Sequence, residues 1–161
     1  FISIEQGFPA FFMRRYDDVI QNARATIEMY PSFAFAHFVL GDQYGQKGDY
    51  TTAITEYQSA LRLDSNTVFL AGLGQAYAAA GETGKANSIL RDLSRGTYPP
   101  PYRIALVYAA MRNKDQVLHW LQRAYNDRND ELIWLKNDPR LDPYRSEPRF
   151  MQLIKKLGLE K

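Results

Sequence analysis

Cysteine is absent, which excludes disulfides and thiolate chemistry. No stretch approaches the roughly 18 consecutive apolar residues that a membrane helix requires. The opening Phe1-Ile2-Ser3-Ile4 lacks the basic start and long apolar core of a signal peptide. Neither sign of charge dominates: 20 basic against 18 acidic residues leave a net charge of +2, so there is no strong electrostatic case for nucleic acid. These absences lead to the expectation of a cytoplasmic chain without membrane insertion. Phe1 stands where a complete protein would carry Met, so the expectation is also of a segment of something longer.

Chemical signatures are equally sparse. His37 and His119 are the two histidines, each alone on its helix with no carboxylate or cysteine at ligand spacing. They read as packed or solvated side chains, not metal ligands. There is no Gly-rich phosphate loop, no H-E-x-x-H and no G-x-S-x-G. Gly81-Glu82-Thr83-Gly84-Lys85 fills a turn between helices, and Asp17-Asp18 sit at a helix start, where they favour the dipole. The expectation is a non-enzyme with no cofactor, no metal and no catalytic residue.

What the chain does have is a repeated phrase. Leu40-Gly41-x-x-Tyr44 returns as Leu73-Gly74-x-x-Tyr77 and again as Ile104-Ala105-x-x-Tyr108. Periods of 33 residues (Tyr44 to Tyr77) and 31 (Tyr77 to Tyr108) mark a stacked helical array. In the clearest unit, 34–65, Ala36, Leu40, Gly41 and Tyr44 share one side of a first helix. Gly48-Asp49 breaks it, and Ala53, Ile54, Tyr57, Ala60 and Leu61 stripe a second helix. Small residues at Gly41 and Ala53 are expected to let the two backbones approach, with Tyr44 and Tyr57 filling the space beside them. One unit later Gly74, Tyr77, Gly81 and Ala86 repeat the arrangement. In the next, Arg112 replaces the turn glycine, so Asn113 is expected to supply any left-handed residue.

Alanine, glycine and tyrosine at these offsets resemble the tetratricopeptide repeat over nearly the whole chain, with His37 where tryptophan is common and Ser65 where proline is common. The resemblance implies an all-α, right-handed superhelical solenoid of antiparallel helix pairs. The expected organisation is one domain, 1–161, with repeats at about 1–31, 34–65, 67–98 and 99–128 and a capping segment at 129–161. In the first unit Pro31 ends the second helix, and Pro9 interrupts a first helix running from Phe1 to Met13. In the tail, Glu131-Leu132-Ile133-Trp134-Leu135 reads as a short apolar helix. Ser146 caps a last helix striped by Phe150, Leu153, Ile154 and Leu157 and ended by Gly158.

The run Trp134-Leu135-Lys136-x-Asp138-Pro139-Arg140-x-Asp142-Pro143-x-Arg145-x-x-Pro148-Arg149-Phe150 narrows the resemblance. It is similar to the ending of repeat domains in bacterial winged-helix regulators, adenylate cyclases and eukaryotic-like serine/threonine kinases. That implies a regulatory segment of a larger signalling protein. Arg140, Arg145 and Arg149 read as partners of Asp138, Asp142 and Glu147 that fix the turns between prolines, ahead of a phosphate or nucleic-acid site.

The repeat geometry implied by the resemblance leaves one face of each first helix for the concave side. That face carries Phe8, Phe11 and Phe12, then Phe35, Phe38 and Asp42, then Val68, Ala71, Gln75 and Ala78, and finally Tyr102, Leu106 and Ala109. It lacks the lysine and asparagine set with which chaperone-binding relatives hold a C-terminal carboxylate. An amphipathic or apolar polypeptide segment therefore fits best, by helix-in-groove recognition. Other readings stay open. The face could bind a small apolar ligand or peptide as the sensory part of a signalling protein, or could drive self-association through the aromatic N-terminal edge. Missing upstream repeats, or the Phe1–Met13 segment folding back, could equally bury the phenylalanines.

Overall fold

The turn inside each hairpin is closed by one recurring ring of backbone hydrogen bonds. In the computed structural model, which describes residues 15–160, helix α1 spans Tyr16–Met29, α2 Ala34–Gln46, α3 Tyr50–Leu63, α4 Thr67–Ala79, α5 Thr83–Arg95, α6 Pro101–Ala110 and α7 Lys114–Asn126. After α2, Asp49 N–H donates to the Tyr44 carbonyl at 2.9 Å and Gly48 N–H to Gly45 at 3.1 Å. The same pair recurs at Glu82→Tyr77 and Gly81→Ala78, and at Asn113→Tyr108 and Arg112→Ala109. This is the Schellman closure, which requires one left-handed residue two positions after the last helical one. That residue is Gly48 (φ 80°), then Gly81 (φ 82°), then Arg112 (φ 57°).

Arg112, not Asn113, thus takes the left-handed conformation. The ring counts from the end of α6, so the position is fixed whichever residue occupies it. Asn113 has φ −92° and instead caps α7, accepting from Gln116 N–H at 3.2 Å. Asp49 and Asn66 cap α3 and α4 in the same manner, as their side-chain chemistry favours. A side chain at positive φ costs about 1–2 kcal/mol, partly offset by the greater unfolded-state freedom of glycine. Arg112→Gly is therefore expected to raise stability by about 0.5–1 kcal/mol, read as an upward shift of the urea midpoint.

Successive helices pack in order from α1 to α7, and α8 (Pro148–Lys156) closes against α7. The first helices of the pairs, α2, α4 and α6, also pack side by side, whereas α3, α5 and α7 make no comparable contact with one another. The layer of first helices is therefore the tighter and concave one. No strand occurs among the described residues. Pro9 and the Phe1–Met13 helix lie outside them.

One tyrosine locks two pairs together. Tyr57 of α3 is buried with its ring over both Gly41 of α2 and Gly72 of α4. A Cβ at Gly41 would meet ring atoms at 2.8 Å, and one at Gly72 would meet the ring more closely still. Close approach of α2 and α3 is instead made at Gly45, whose Cβ would lie 3.9 Å from that of Ala53. The Tyr57 hydroxyl donates to Asp42 at 2.6 Å, so the ring cannot swing aside without breaking a half-buried bond. Gly72→Ala is expected to cost about 1–3 kcal/mol by overpacking. Adding Tyr57→Leu should recover part of that loss in a double-mutant cycle; simple additivity would show that the ring does not set the spacing.

Two 3₁₀ turns, Asp130–Trp134 and Pro139–Tyr144, precede α8. The apolar run at 131–135 is thus a single tight turn that buries Leu132 and Leu135 and leaves Ile133 exposed. Ser146 does not cap α8: the cap position is Glu147, with Pro148 in the first turn. Proline pre-sets the entry φ and moves the start one residue past the serine. The α8 stripe buries Phe150 and Leu153 and half-buries Ile154 and Leu157, and Gly158 (φ 68°) ends it.

Candidate functional site

The face of α2, α4 and α6 holds the residues singled out from the sequence, at two depths. Phe38, Ala71, Tyr102 and Leu106 are buried, and Gln75 is 9% exposed. Phe35, Asp42, Val68, Ala78 and Ala109 are half-buried. Phe8, Phe11 and Phe12 lie outside the described residues. Phe38 stacks on Phe69 at 5.0 Å, with Phe35 at 5.5 Å and Tyr57 at 5.9 Å. The Arg103 guanidinium lies 5.6 Å from its ring centre while also binding Glu131 at 2.5 Å. Phe38 is therefore a keystone between α2 and α4, and Phe35 is the ring of this pair nearer the surface.

The tail crosses this face. The turn Pro139–Tyr144 packs on α6, burying Leu141 and Tyr144. The Tyr144 hydroxyl donates to the Ala109 carbonyl at 3.2 Å. Asp138, fully buried, caps the turn by accepting from Arg140 N–H at 3.0 Å. It grips the Arg140 guanidinium through two parallel bonds, 2.8 and 2.7 Å, and accepts from Tyr102 Oη at 2.9 Å. Arg140 then reaches Asp42 on α2, Nη1 to Oδ1, at 3.6 Å. Arg145 ties the segment internally, bonding Asp142 at 2.8 Å and the carbonyls of Asp138 and Lys136. Glu147 pairs with Lys114 at 3.3 Å, not with the tail arginines.

Burial alone would raise the Asp138 pKa, yet the Arg140 charge and its hydrogen bonds outweigh it and hold the carboxyl below the usual range. Arg140 is raised in turn: burial opposes its charge, and Asp138 and Asp42 overcome that opposition. Burial, reinforced by Asp42 and Asp138 respectively, pushes the Tyr57 and Tyr102 phenols well up. Both hydroxyls stay neutral donors.

Sequence reading placed Asp42 and Tyr102 on this face but not the residues that meet them: Tyr57, Asp138 and Arg140. A signal existed. Asp42 and Gln75 are polar on an otherwise apolar stripe, and buried polar groups require partners. His37 is likewise not alone, since its Nδ1 lies 2.7 Å from Glu56 Oε2 of α3. Among the described residues no cluster of His and carboxylates could hold a metal ion, and no helix is long and apolar enough to cross a membrane.

Two recesses open on the face. One, about 250 Å³, lies between α2, α4 and α6 over Asp42, Gln75 and Arg140. The other, about 540 Å³, lies at the helix starts among Phe33, Phe35, Phe38, Leu63, Val68 and Phe69, with Arg103 at its side. Residues 41–81, from Gly41 of α2 to the turn glycine after α4, match the family model of the TPR repeat. The chain is similar to the Hsp70-Hsp90 organizing protein of Triticum aestivum, 30% identical over an alignment of 148 residues that covers 88% of this chain and 24% of the relative. It thus spans about a quarter of the length of that curated relative. Recurring Schellman turns, paired helices in sequential contact and the matched repeat agree: residues 41–81 carry a tetratricopeptide repeat, and the described helices form an all-α array of that kind.

Proposed function

We propose that the chain is a protein-interaction module whose binding surface is the apolar recess at the starts of α2 and α4. The carrying observation is a contiguous set of incompletely covered apolar side chains around a concavity: Phe33 is 43% and Leu63 44% exposed, with Phe35 and Val68 half-buried between them. Apolar side chains held open beside a concave wall gain by covering one another, and the recess is large enough for the anchor residues of an apolar or amphipathic segment. The arginine beside it, Arg103, is committed to Glu131. That supports an apolar ligand over one ending in a free carboxylate, whatever the name of the wheat relative says of that protein. The array then acts as a non-catalytic scaffold.

The tail motif favours a second reading, a regulatory segment in a larger signalling protein. Its support is the strap that Asp138 and Arg140 form across the same face.

Panning a random peptide library on the wild-type protein tests the first reading. The enriched peptides are expected to be apolar or amphipathic and to lose at least tenfold in affinity against Val68→Asp. Tyr98→Asp, at an exposed position that does not line the recess, should leave binding unchanged. Equal binding to all three proteins removes the recess from consideration.

A further inference from the structure

The smaller recess differs from the apolar one, because polar groups with unmet bonding capacity converge in it. Gln75 is nine-tenths buried and lines the recess, yet its Nε2 has no hydrogen-bond partner. A buried amide donor without an acceptor costs about 1–3 kcal/mol, so with none from the protein it takes one from water or from a ligand in the recess. Asp42 lines the same recess, 10% exposed at its side chain. Tyr57 and Arg140 both engage its Oδ1, and among the described residues nothing engages Oδ2. The recess therefore places the Gln75 donor beside the Asp42 carboxylate, with the Arg140 guanidinium also at its wall.

Charge decides what kind of ligand suits them. Arg103 and Arg140 stand against Asp42 and Asp138 around Tyr57 and Tyr102, so the charges nearest the two phenols balance. A charged ligand would upset that balance in a site that solvates charge poorly. A neutral group carrying both an acceptor and a donor would not. The remaining wall is apolar at Ala79, Leu106 and Ala109 and polar at Gln46 and Tyr50. A volume of about 250 Å³ holds a short side chain, or about eight waters at roughly 30 Å³ each.

From this we infer that the recess between α2, α4 and α6 binds a primary carboxamide. Its carbonyl accepts from Gln75 Nε2, and its nitrogen donates to Asp42. The group is either an asparagine or glutamine side chain of a partner polypeptide or a free small amide. The polypeptide source rests on the reading of this face as a partner-binding surface; the chemistry of the recess does not.

The experiment is a titration of the ¹⁵N-labelled protein with butyramide, with butyrate and butylamine as charged probes of the same shape. Saturable shifts at the Gln75 side-chain amide and at the backbone of Ala79 and Ala109 are expected for butyramide, with affinity on the order of millimolar for so small a molecule. Butyrate and butylamine should bind at least tenfold more weakly. Gln75→Met removes the unpaired donor and should fold at least as stably by thermal melt, while weakening butyramide at least tenfold. Equal or tighter binding of either charged probe, butyramide binding that survives Gln75→Met, or no saturable shift with butyramide overturns the inference. Blocked Ala-Ala-Gln-Ala-Ala and Ala-Ala-Glu-Ala-Ala separate the two sources. Preference for the glutamine peptide supports a polypeptide ligand, and binding of butyramide without either peptide supports a free amide. None of these titrations uses the apolar recess, so failure of the panning test and failure here are told apart.

Discussion

Arg140→Met is expected to destabilise the protein by about 3–5 kcal/mol at neutral pH, the range for removing one partner of a buried ion pair. Asp138 would remain fully buried, still accepting from Tyr102 but stripped of its bidentate cation. Asp42 would lose the charge that reaches it from the tail. Because Arg140 joins the tail to α2 across α6, the turn 139–144 should loosen with it, and hydrogen exchange at the backbone around Tyr144 should speed up. The pH dependence gives the mechanism a sign. In the wild type the Asp138 pKa is held below 3.8, so its contribution is present above about pH 4 and is lost as pH falls through the lower folded value. In Arg140→Met burial is opposed only by the hydrogen bonds from Tyr102 and from the backbone of residue 140 and raises that pKa, so acidification favours the variant's folded state. The stability gap, measured by urea unfolding, should therefore narrow between pH 7 and about pH 3.5. A gap below about 1 kcal/mol at pH 7 would mean that the tail is held by its apolar contacts alone.

Phe38→Ala is expected to cost about 3–5 kcal/mol. The ring is fully buried, stacked on Phe69 and beside Tyr57, and it forms the surface on which Arg103 lies. Removing it opens a void between α2 and α4 that helices spaced by Tyr57 cannot easily close. Phe35→Ala, at a half-buried position, should cost about 1 kcal/mol. Comparable losses at the two positions in urea unfolding would contradict the keystone role. The contrast also governs how the face is probed. An aspartate at 38 would unfold the array and say nothing about binding, whereas Val68→Asp alters a half-buried wall of the recess.

The array was legible because a solenoid's contacts are local. Each pair packs on the next in the chain, so the offsets of Gly41, Tyr44 and Ala53 carry the spatial information themselves. Even the Arg112 turn follows from counting along α6, and the error at Asn113 came from judging residue preference ahead of ring geometry. The last helix was found, one residue displaced, because Pro148 overrides a serine cap. The stripe on the first helices was also visible, since period 3.6 identifies a face.

Depth on that face was not visible. Phe35 and Phe38 are equivalent in composition and three residues apart, and only the position of Phe69 and Arg103 makes one a core ring and the other a wall. Sequence alone determined an all-α repeat, its turns and the side on which its first helices align, because these follow from bonds and contacts within some 33 residues. Tertiary structure alone decided that a strap from residues 136–145 lies across this side, that Arg140 meets Asp42 nearly a hundred residues away, and that Gln75 is left with an unanswered amide. Pairings at that separation depend on how several units curve together, and no local offset encodes the curvature.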